Sequence, residues 1–572
     1  MSVRPSPLIF PPDEAASWQR VRRYAVPRWM IEQAAERRLA GDWRGACAVA
    51  GVDVAFDLAG VAREYGAAVA AELEDDLRHL APDLLRWHLP RILHGHTTLA
   101  TGEKVVLAGY GPPGRPEVPR LHVATPLMTG GPQRLTLRLG RVHDGRAPGW
   151  SWSELSRDWA AARHLWDVRH TAELRLRCGG GNDRAPFFDA DGTPRTAADL
   201  PAADPGHEDP AARTEWVTSL HEEGMTAAAF AAVGIDLDMP EEERTRWHEG
   251  RPLDVMKWIP LVLTRLGPEM RRLADEGEGD RFHILYGWNE VVMVEPGPDR
   301  GRLRCRLTER QKEAATVLPE ACWRRLPDLD LLRDARISPD HLHPLVRASL
   351  FPGRPDTGGP YGPPDPPAPA PVRVRCRGEW HEVAARDGGL QMPHSAVEQQ
   401  RERAMRAFGG AVAGCFAVQQ AWTSGSGRLP RVLRAQRREL FERAQHGDTP
   451  GVLRLLDGGF DPHVRDGMGR TLLHVLNLLD HEPLLPRLLA AGLGLEAEDQ
   501  RERTPLHTAV AERGSADLVR ALLAAGARID AVDQEGLSLG NLIHRYKRRD
   551  LEFLRKQGIG AGLWPDEPSG DA

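Results

Sequence analysis

Asp499-Gln-Arg-Glu-Arg-Thr504-Pro505-Leu506-His507-Thr-Ala509 is the stretch from which the fold of this chain can be read. It runs on through Gly514 to Asp517-Leu518-Val519-Arg520-Ala521-Leu522-Leu523-Ala-Ala-Gly526-Ala527-Arg-Ile529-Asp530. The same letters stand about 33 residues earlier at Thr471, Leu473, His474, Leu488, Leu489 and Gly492, and fade one period later into Ser538 and Leu542. Thr504 is placed to cap a helix, and Pro505 suits the first turn, where no amide hydrogen is needed. Leu506 and Ala509 point to a neighbouring helix. Leu518, Val519, Leu522 and Leu523 give a second helix an apolar stripe, and Gly526 can take the left-handed conformation that ends it. A single helical pair cannot bury such a stripe, so the units must stack.

The pattern closely resembles the ankyrin repeat family. The resemblance covers 438–559, about a fifth of the chain, and implies an all-α solenoid of four units. These are an N-terminal one from Glu439 to Pro462, two central ones, and a degraded one from Gln534 to Ile559. It makes Thr471, His474, Thr504, Pro505, Leu506, His507 and Gly526 structural residues, the histidines bonding within and between turns rather than holding a metal. It also implies a protein partner, met at the hairpin tips by Met468, Arg470, Arg501, Arg503, Gln534 and Glu535, or docking of the array on the chain's own N-terminal region. The second unit departs from the family pattern, with Leu472 in place of the proline and Asp480-His-Glu-Pro interrupting its inter-helix turn.

Outward from the repeats, the chain reads as a multidomain α+β protein. Residues 1–26 form an extension, 27–178 a first α+β unit, 179–214 a loop and 215–350 a second α+β unit. A Pro-rich linker spans 351–372, a strand–helix connector 373–437, and a short acidic tail 560–572. In the first unit Leu58, Val61, Tyr65, Val69, Leu73, Leu77 and Leu80 mark one amphipathic helix. Lys104-Val-Val-Leu and Arg134-Leu-Thr-Leu-Arg-Leu139 read as strands, and Trp150 to Arg177 as mainly helical. The second unit replays the first: Gly41-x4-Ala46-x-Ala48-x2-Gly51-Val-Asp53 matches Gly224-x4-Ala229-x-Ala231-x2-Gly234-Ile-Asp236. A tandem duplication is therefore expected. Nine prolines between Phe351 and Val372 predict an extended linker. In the connector, Val372 to Arg377 alternates as a strand, and one helix is expected from about Ser395 to Trp422, striped by Met405, Phe408, Val412 and Phe416.

Composition narrows the function classes. Of 572 residues 41% are hydrophobic and 27% charged, a globular balance, and the net charge of -6 argues against a basic nucleic-acid surface. Only five lysines stand among the 75 basic residues, which fits a GC-rich coding sequence and a bacterial source. The six cysteines are scattered without a C-x-x-C pair or a close Cys/His cluster, which excludes the common zinc-knuckle spacings and points to reduced thiols in a cytosol. The N-terminus lacks the pattern of a signal peptide, and no apolar run is long enough to span a bilayer.

Gly109-Tyr-Gly111-Pro-Pro-Gly114 fits G-x-G-x-x-G, but its prolines forbid the helix a dinucleotide needs, so it reads as a turn. His94/His96 and His341/His343 lack a third ligand nearby. Asp189/Asp191, Asp236/Asp238 and Asp328/Asp330 read as turn and cap residues. The alternating Arg134/Arg138, Arg302/Arg304/Arg306 and Arg373/Arg375/Arg377, the last beside Trp380, read as solvated sheet faces. No catalytic residue, metal site or cofactor is assigned. The expectation is a cytoplasmic, non-enzymatic adaptor that binds a protein, the alternative being an enzyme or effector in the α+β units targeted by the repeats.

Overall fold

A computed structural model describes residues 12–555 apart from 94, 112–117, 142–155, 240–255, 278, 286–289, 299–300, 310–314, 356–358, 360–361, 365–369 and 410–411. The chain is mixed α/β and divides into two bodies, one of residues 1–125 and 134–364, the other of 126–133 and 365–572.

The N-terminal body holds two five-stranded sheets. In the first, β1 (Val52–Val54), β2 (Lys104–Gly109), β3 (Arg120–Ala124), β4 (Leu135–Gly140) and β5 (Ser156–Asp158) lie in the order β1-β4-β3-β2-β5. The two edge pairs, β1/β4 and β2/β5, are parallel and the central pairs antiparallel. In the second, β6 (Ile235–Leu237), β7 (Phe282–Leu285), β8 (Glu290–Pro296), β9 (Leu303–Glu309) and β10 (Thr316–Val317) lie in the order β10-β7-β8-β9-β6. Its edge pairs β6/β9 and β7/β10 are again parallel and its central pairs antiparallel. Each first strand carries an aspartate in a forked ion pair with the arginine leading into the fourth. Arg134 Nε donates to Asp53 at 3.0 Å and Arg302 Nε to Asp236 at 3.0 Å.

Three local readings need correction. The Leu58–Leu80 stripe is not one helix but two, Leu58–Tyr65 and Ala67–His79, because Gly66 between them adopts φ +97°, a left-handed value that breaks the hydrogen-bond ladder. Trp150 to Arg177, where described, is not mainly helical. It consists of β5, two 3₁₀ turns and the short helix Leu174–Arg177. Its apolar residues are spaced to bury Trp159, Leu165 and Trp166, and turns suffice for that. The expected helix from Ser395 to Trp422 is two, Ala396–Ala407 and Gly414–Ser424. Its stripe is not a core stripe, since Met405 is 59% and Phe408 91% exposed while Phe416 is buried.

The C-terminal body begins with a three-stranded antiparallel meander of β11 (Val372–Cys376), β12 (Glu379–Arg386) and β13 (Gly389–Gln391). Val372, Val374 and Cys376 alternate inward along β11 while Arg373 and Arg375 face outward. The helices Arg431–Gln445 and Thr449–Asp457 form the first repeat, Pro505–Ala511 and Ala516–Ala524 the third. In the second repeat, which lacks the proline, the first helix shrinks to turns and the 3₁₀ segment Leu476–Leu478, and Asp480 caps His481–Ala490. The last unit keeps Leu539–Arg545 and a short closing helix, Glu552–Arg555. One apolar cluster runs from Val374 and Trp422 through Leu440, Leu473 and Leu506 to Leu542. The local hydrogen bond from Asn477 Nδ2 to Gly130 O, 2.8 Å, ties residues 126–133 into this body.

Candidate functional site

The repeat tips are built on aspartates that recur with the period. Asp466 Oδ1 accepts from the Met468 and Arg470 amides at 2.8 and 2.9 Å. Asp499 Oδ1 accepts from Arg501 and Arg503, and Asp533 Oδ1 from Glu535 and Leu537, at 2.8–3.0 Å. Each carboxylate thus folds its own turn, as short Asx side chains do. Successive tips are joined through the backbone, from the Gln500 amide to Met468 O at 2.9 Å and from the Gln534 amide to Arg501 O at 3.0 Å. Met468, Arg501, Gln534 and Glu535 are exposed on this ladder. Arg470 is half-buried against Asp466, and Arg503 is 8% exposed and paired with Asp533, so Arg503 stands behind the tip and not on it.

Behind the tips, His474 and His507 are fully engaged. His474 Nε2 donates to Arg503 O in the next tip at 2.9 Å, while Nδ1 accepts from the Thr471 amide and hydroxyl at 3.1 and 2.8 Å. His507 repeats this with Ala531 O and Thr504. Burial holds His474 neutral, its pKa lowered to about 4. With both nitrogens occupied, neither ring has a lone pair left for a metal. Thr504 caps Pro505–Ala511, Leu506 is buried in the stack, and Gly526 ends Ala516–Ala524 at φ +100°.

The meander contributes a second constellation, one that the linear spacing does not reveal. Cys376 ends β11, and His381 on β12 lies diagonally across the hairpin on the same inward face. His394 follows β13, and Cys415 opens the helix Gly414–Ser424. Their ligand atoms all lie within 4.8 Å of one another. His381 Nδ1 is 3.1 Å from His394 Nε2, Cys376 Sγ 3.6 Å from His394 Nε2, and Cys415 Sγ 3.6 Å from His381 Nδ1. Both thiols are buried. Burial, with Cys376 alongside, raises the pKa of the Cys415 thiol. The sequence signal was Cys376-x4-His381 across a tight turn, hidden because the other two donors lie 13 and 34 residues beyond His381.

The remaining candidates are engaged elsewhere. His343 Nε2 meets Asp83 at 2.8 Å in the core, and His341 closes a capping box, while His94 and Gly114 fall outside the described residues. Asp328 pairs with Arg22, Asp330 with Arg325 and Arg333, Asp189 with Arg195, and Asp191 accepts from the Thr193 amide. Asp236 and Asp238 pair with Arg302 and Arg304. Arg306 meets Glu295, Arg377 meets Glu402, and Arg373 stacks over Trp380. A cavity of about 70 Å³ in the N-terminal body is lined by His88, His164, Arg177 and Glu320 among others. His164 is held neutral by burial, its pKa lowered to about 3, and Glu320 is clamped by Arg157 and Arg324.

Residues 440–533 match the family model for ankyrin repeats, with three copies. The C-terminal region therefore carries ankyrin repeats, whose general role is protein binding. Among the described residues no helix is long and apolar enough to cross a membrane.

Proposed function

We propose that this protein is an adaptor whose ankyrin array recognises a protein partner through the tip ladder, with Met468, Arg501, Gln534 and Glu535 in contact and Arg470 beside them. The observation that carries the reading is the pairing of exposed side chains with a backbone fixed by Asp466, Asp499 and Asp533 and by the hydrogen bonds from tip to tip. A surface ordered before binding loses little conformational entropy on association. Met468 supplies an adaptable apolar contact, and Arg501 a fork for a carboxylate. We place the adaptor in a bacterial cytosol, supported by the arginine-rich composition and by six buried, unbridged cysteines.

We also read 27–178 and 215–350 as a tandem duplication. Equal strand order, equal strand sense and the equivalent Asp53–Arg134 and Asp236–Arg302 pairs support it. A second functional reading, an activity in the N-terminal body, has the His88/His164 cavity in its favour. At about 70 Å³ that cavity is smaller than the roughly 300–1,000 Å³ of ordinary ligand pockets, whereas a second one of about 400 Å³, lined by Phe188, Pro194, Arg336 and His341 among others, falls within that range but gathers no carboxylate. The adaptor reading stands first because the repeats carry it.

The test compares full-length wild type with the double variant Met468→Glu, Arg501→Glu as baits in lysate, read by quantitative mass spectrometry and followed by binding of each purified hit. Loss of a direct binder from the variant, with unchanged thermal unfolding, supports the proposal. Identical recovery by both baits rejects the tip ladder as the recognition surface.

A further inference from the structure

We propose that Cys376, His381, His394 and Cys415 bind one zinc ion, which staples the β11–β13 meander to the helix Gly414–Ser424 and so builds the cap on the first ankyrin repeat. The inference is independent of what the array recognises.

The donor set and its geometry agree. Two thiolates and two imidazoles form a set characteristic of structural zinc. Bonds of about 2.3 Å to sulfur and about 2.0–2.1 Å to nitrogen place tetrahedral donors roughly 3.4 Å apart for two nitrogens and roughly 3.6 Å for a nitrogen and a sulfur. The corresponding separations here are 3.1 Å between the nitrogens and 3.6 Å for two of the four mixed pairs, Cys376 with His394 and Cys415 with His381, all four donor atoms lying within 4.8 Å of one another. The outward nitrogen of each ring has a carboxylate nearby but beyond hydrogen-bond distance, Glu379 at 3.9 Å from His381 Nε2 and Glu398 at 4.0 Å from His394 Nδ1. Four protein donors complete the tetrahedron and leave no place for substrate, so the role is structural.

The backbone is shaped to close this site. Gly414 adopts φ +59°, and a Cβ there would lie 2.6 Å from Cys376 Sγ. Only glycine lets the chain pass close enough to set Cys415 beside Cys376. Hydrogen bonding alone satisfies the cluster poorly, because two facing ring nitrogens share at most one proton and sulfur is a weak partner. Zinc uses all four donors. On binding, the two thiols release their protons to solvent, and two thiolates and two neutral imidazoles around a dication leave a centre of zero net charge.

The fold explains why a staple is needed. About 50 residues of meander and helix make only a marginal core of their own, joined at one end to the apolar seam of the repeats. The capped side is well defined: Trp422 Nε1 donates to Asp461 at 2.9 Å, its ring packs on Phe460, and the Gly388 amide donates to Gly459 O at 2.8 Å. A solenoid exposes its apolar end unless something covers it, and here the zinc-held module covers the first repeat.

The experiment uses the full chain, purified under reducing conditions without added metal or chelator. Its metal content is measured by plasma mass spectrometry, and the chelated protein is titrated with Co(II). About one zinc per chain is expected, together with the visible absorption of tetrahedral Co(II) bound by thiolate. Cys415→Ser and His394→Ala should each lose the zinc, while Cys47→Ala keeps it. If either variant proves insoluble, the wild-type stoichiometry and cobalt spectrum decide. Wild type with only trace zinc and no thiolate–cobalt absorption overturns the proposal, as does zinc retained by Cys415→Ser or a Cys376–Cys415 disulfide in the purified chain.

Discussion

The ankyrin array and the meander that precedes it belong to one body but are stabilised in different ways. Beyond residue 438, stability is distributed: Leu440, Leu473, Leu506, Leu522 and Leu542 bury one continuous apolar seam, and the turns recur with their aspartates. Between Val372 and Ser424, the buried apolar side chains form the near end of that same seam, and four metal-ligating atoms meet at one point. A repeated interaction can be weakened in one copy and survive, as the second unit shows with its first helix reduced to a 3₁₀ turn. A single metal centre has no second copy.

Four perturbations sharpen that contrast, beginning with the largest. Removing the metal with a chelator, or through Cys415→Ser, withdraws a binding free energy of about 10–16 kcal/mol for a structural zinc site, more than so small a module can lose and stay folded. Far-UV circular dichroism should show an early loss of strand signal while the repeat helices persist. A single transition at the wild-type temperature would show that the metal does not hold the module. Leu522→Ala, at a fully buried seam position, should cost about 2–5 kcal/mol in denaturant unfolding while leaving zinc content unchanged.

Acid should act on the array next. The folded-state pKa of His474 lies below its ordinary value, so the unfolded chain binds more protons between the two. The stabilisation is complete above about pH 6.5 and is lost as the pH falls toward 4, amounting to about 3 kcal/mol for this one ring. A pH series of urea unfolding on wild type and His474→Gln checks it, and equal slopes for the two would contradict it. The smallest effect is expected at the cap Thr504, where Thr504→Ala should cost about 1 kcal/mol in the same assay.

How much of this could be read in the sequence follows the same division. The repeats were legible because Thr504, His507, Leu522 and Gly526 have counterparts one period away, and each local preference agrees with the stack. Both sheets of the N-terminal body showed in the alternation of their fourth strands, Leu135–Gly140 and Leu303–Glu309. Helix limits were less legible: the Leu58–Leu80 stripe continues in phase across Gly66, where only the backbone dihedral marks the break. Arg503 looked like a tip residue by position, yet its side chain turns inward to Asp533. The four-donor cluster was hidden for two reasons. Its members come from two strands, a loop and a helix start, and the apolar letters from Ser395 to Trp422 suggest an unbroken helix that would hold Cys415 away from Cys376. The interruption before Gly414 brings the two together.

The most direct test of this two-part account is hydrogen–deuterium exchange on the full chain, with and without chelator, resolved by peptide. We predict that chelation strips protection from 372–391 and 414–424 while 505–524 exchanges as before. Equal loss across both regions, or no change in either, would contradict the division between a metal-held cap and a self-supporting array.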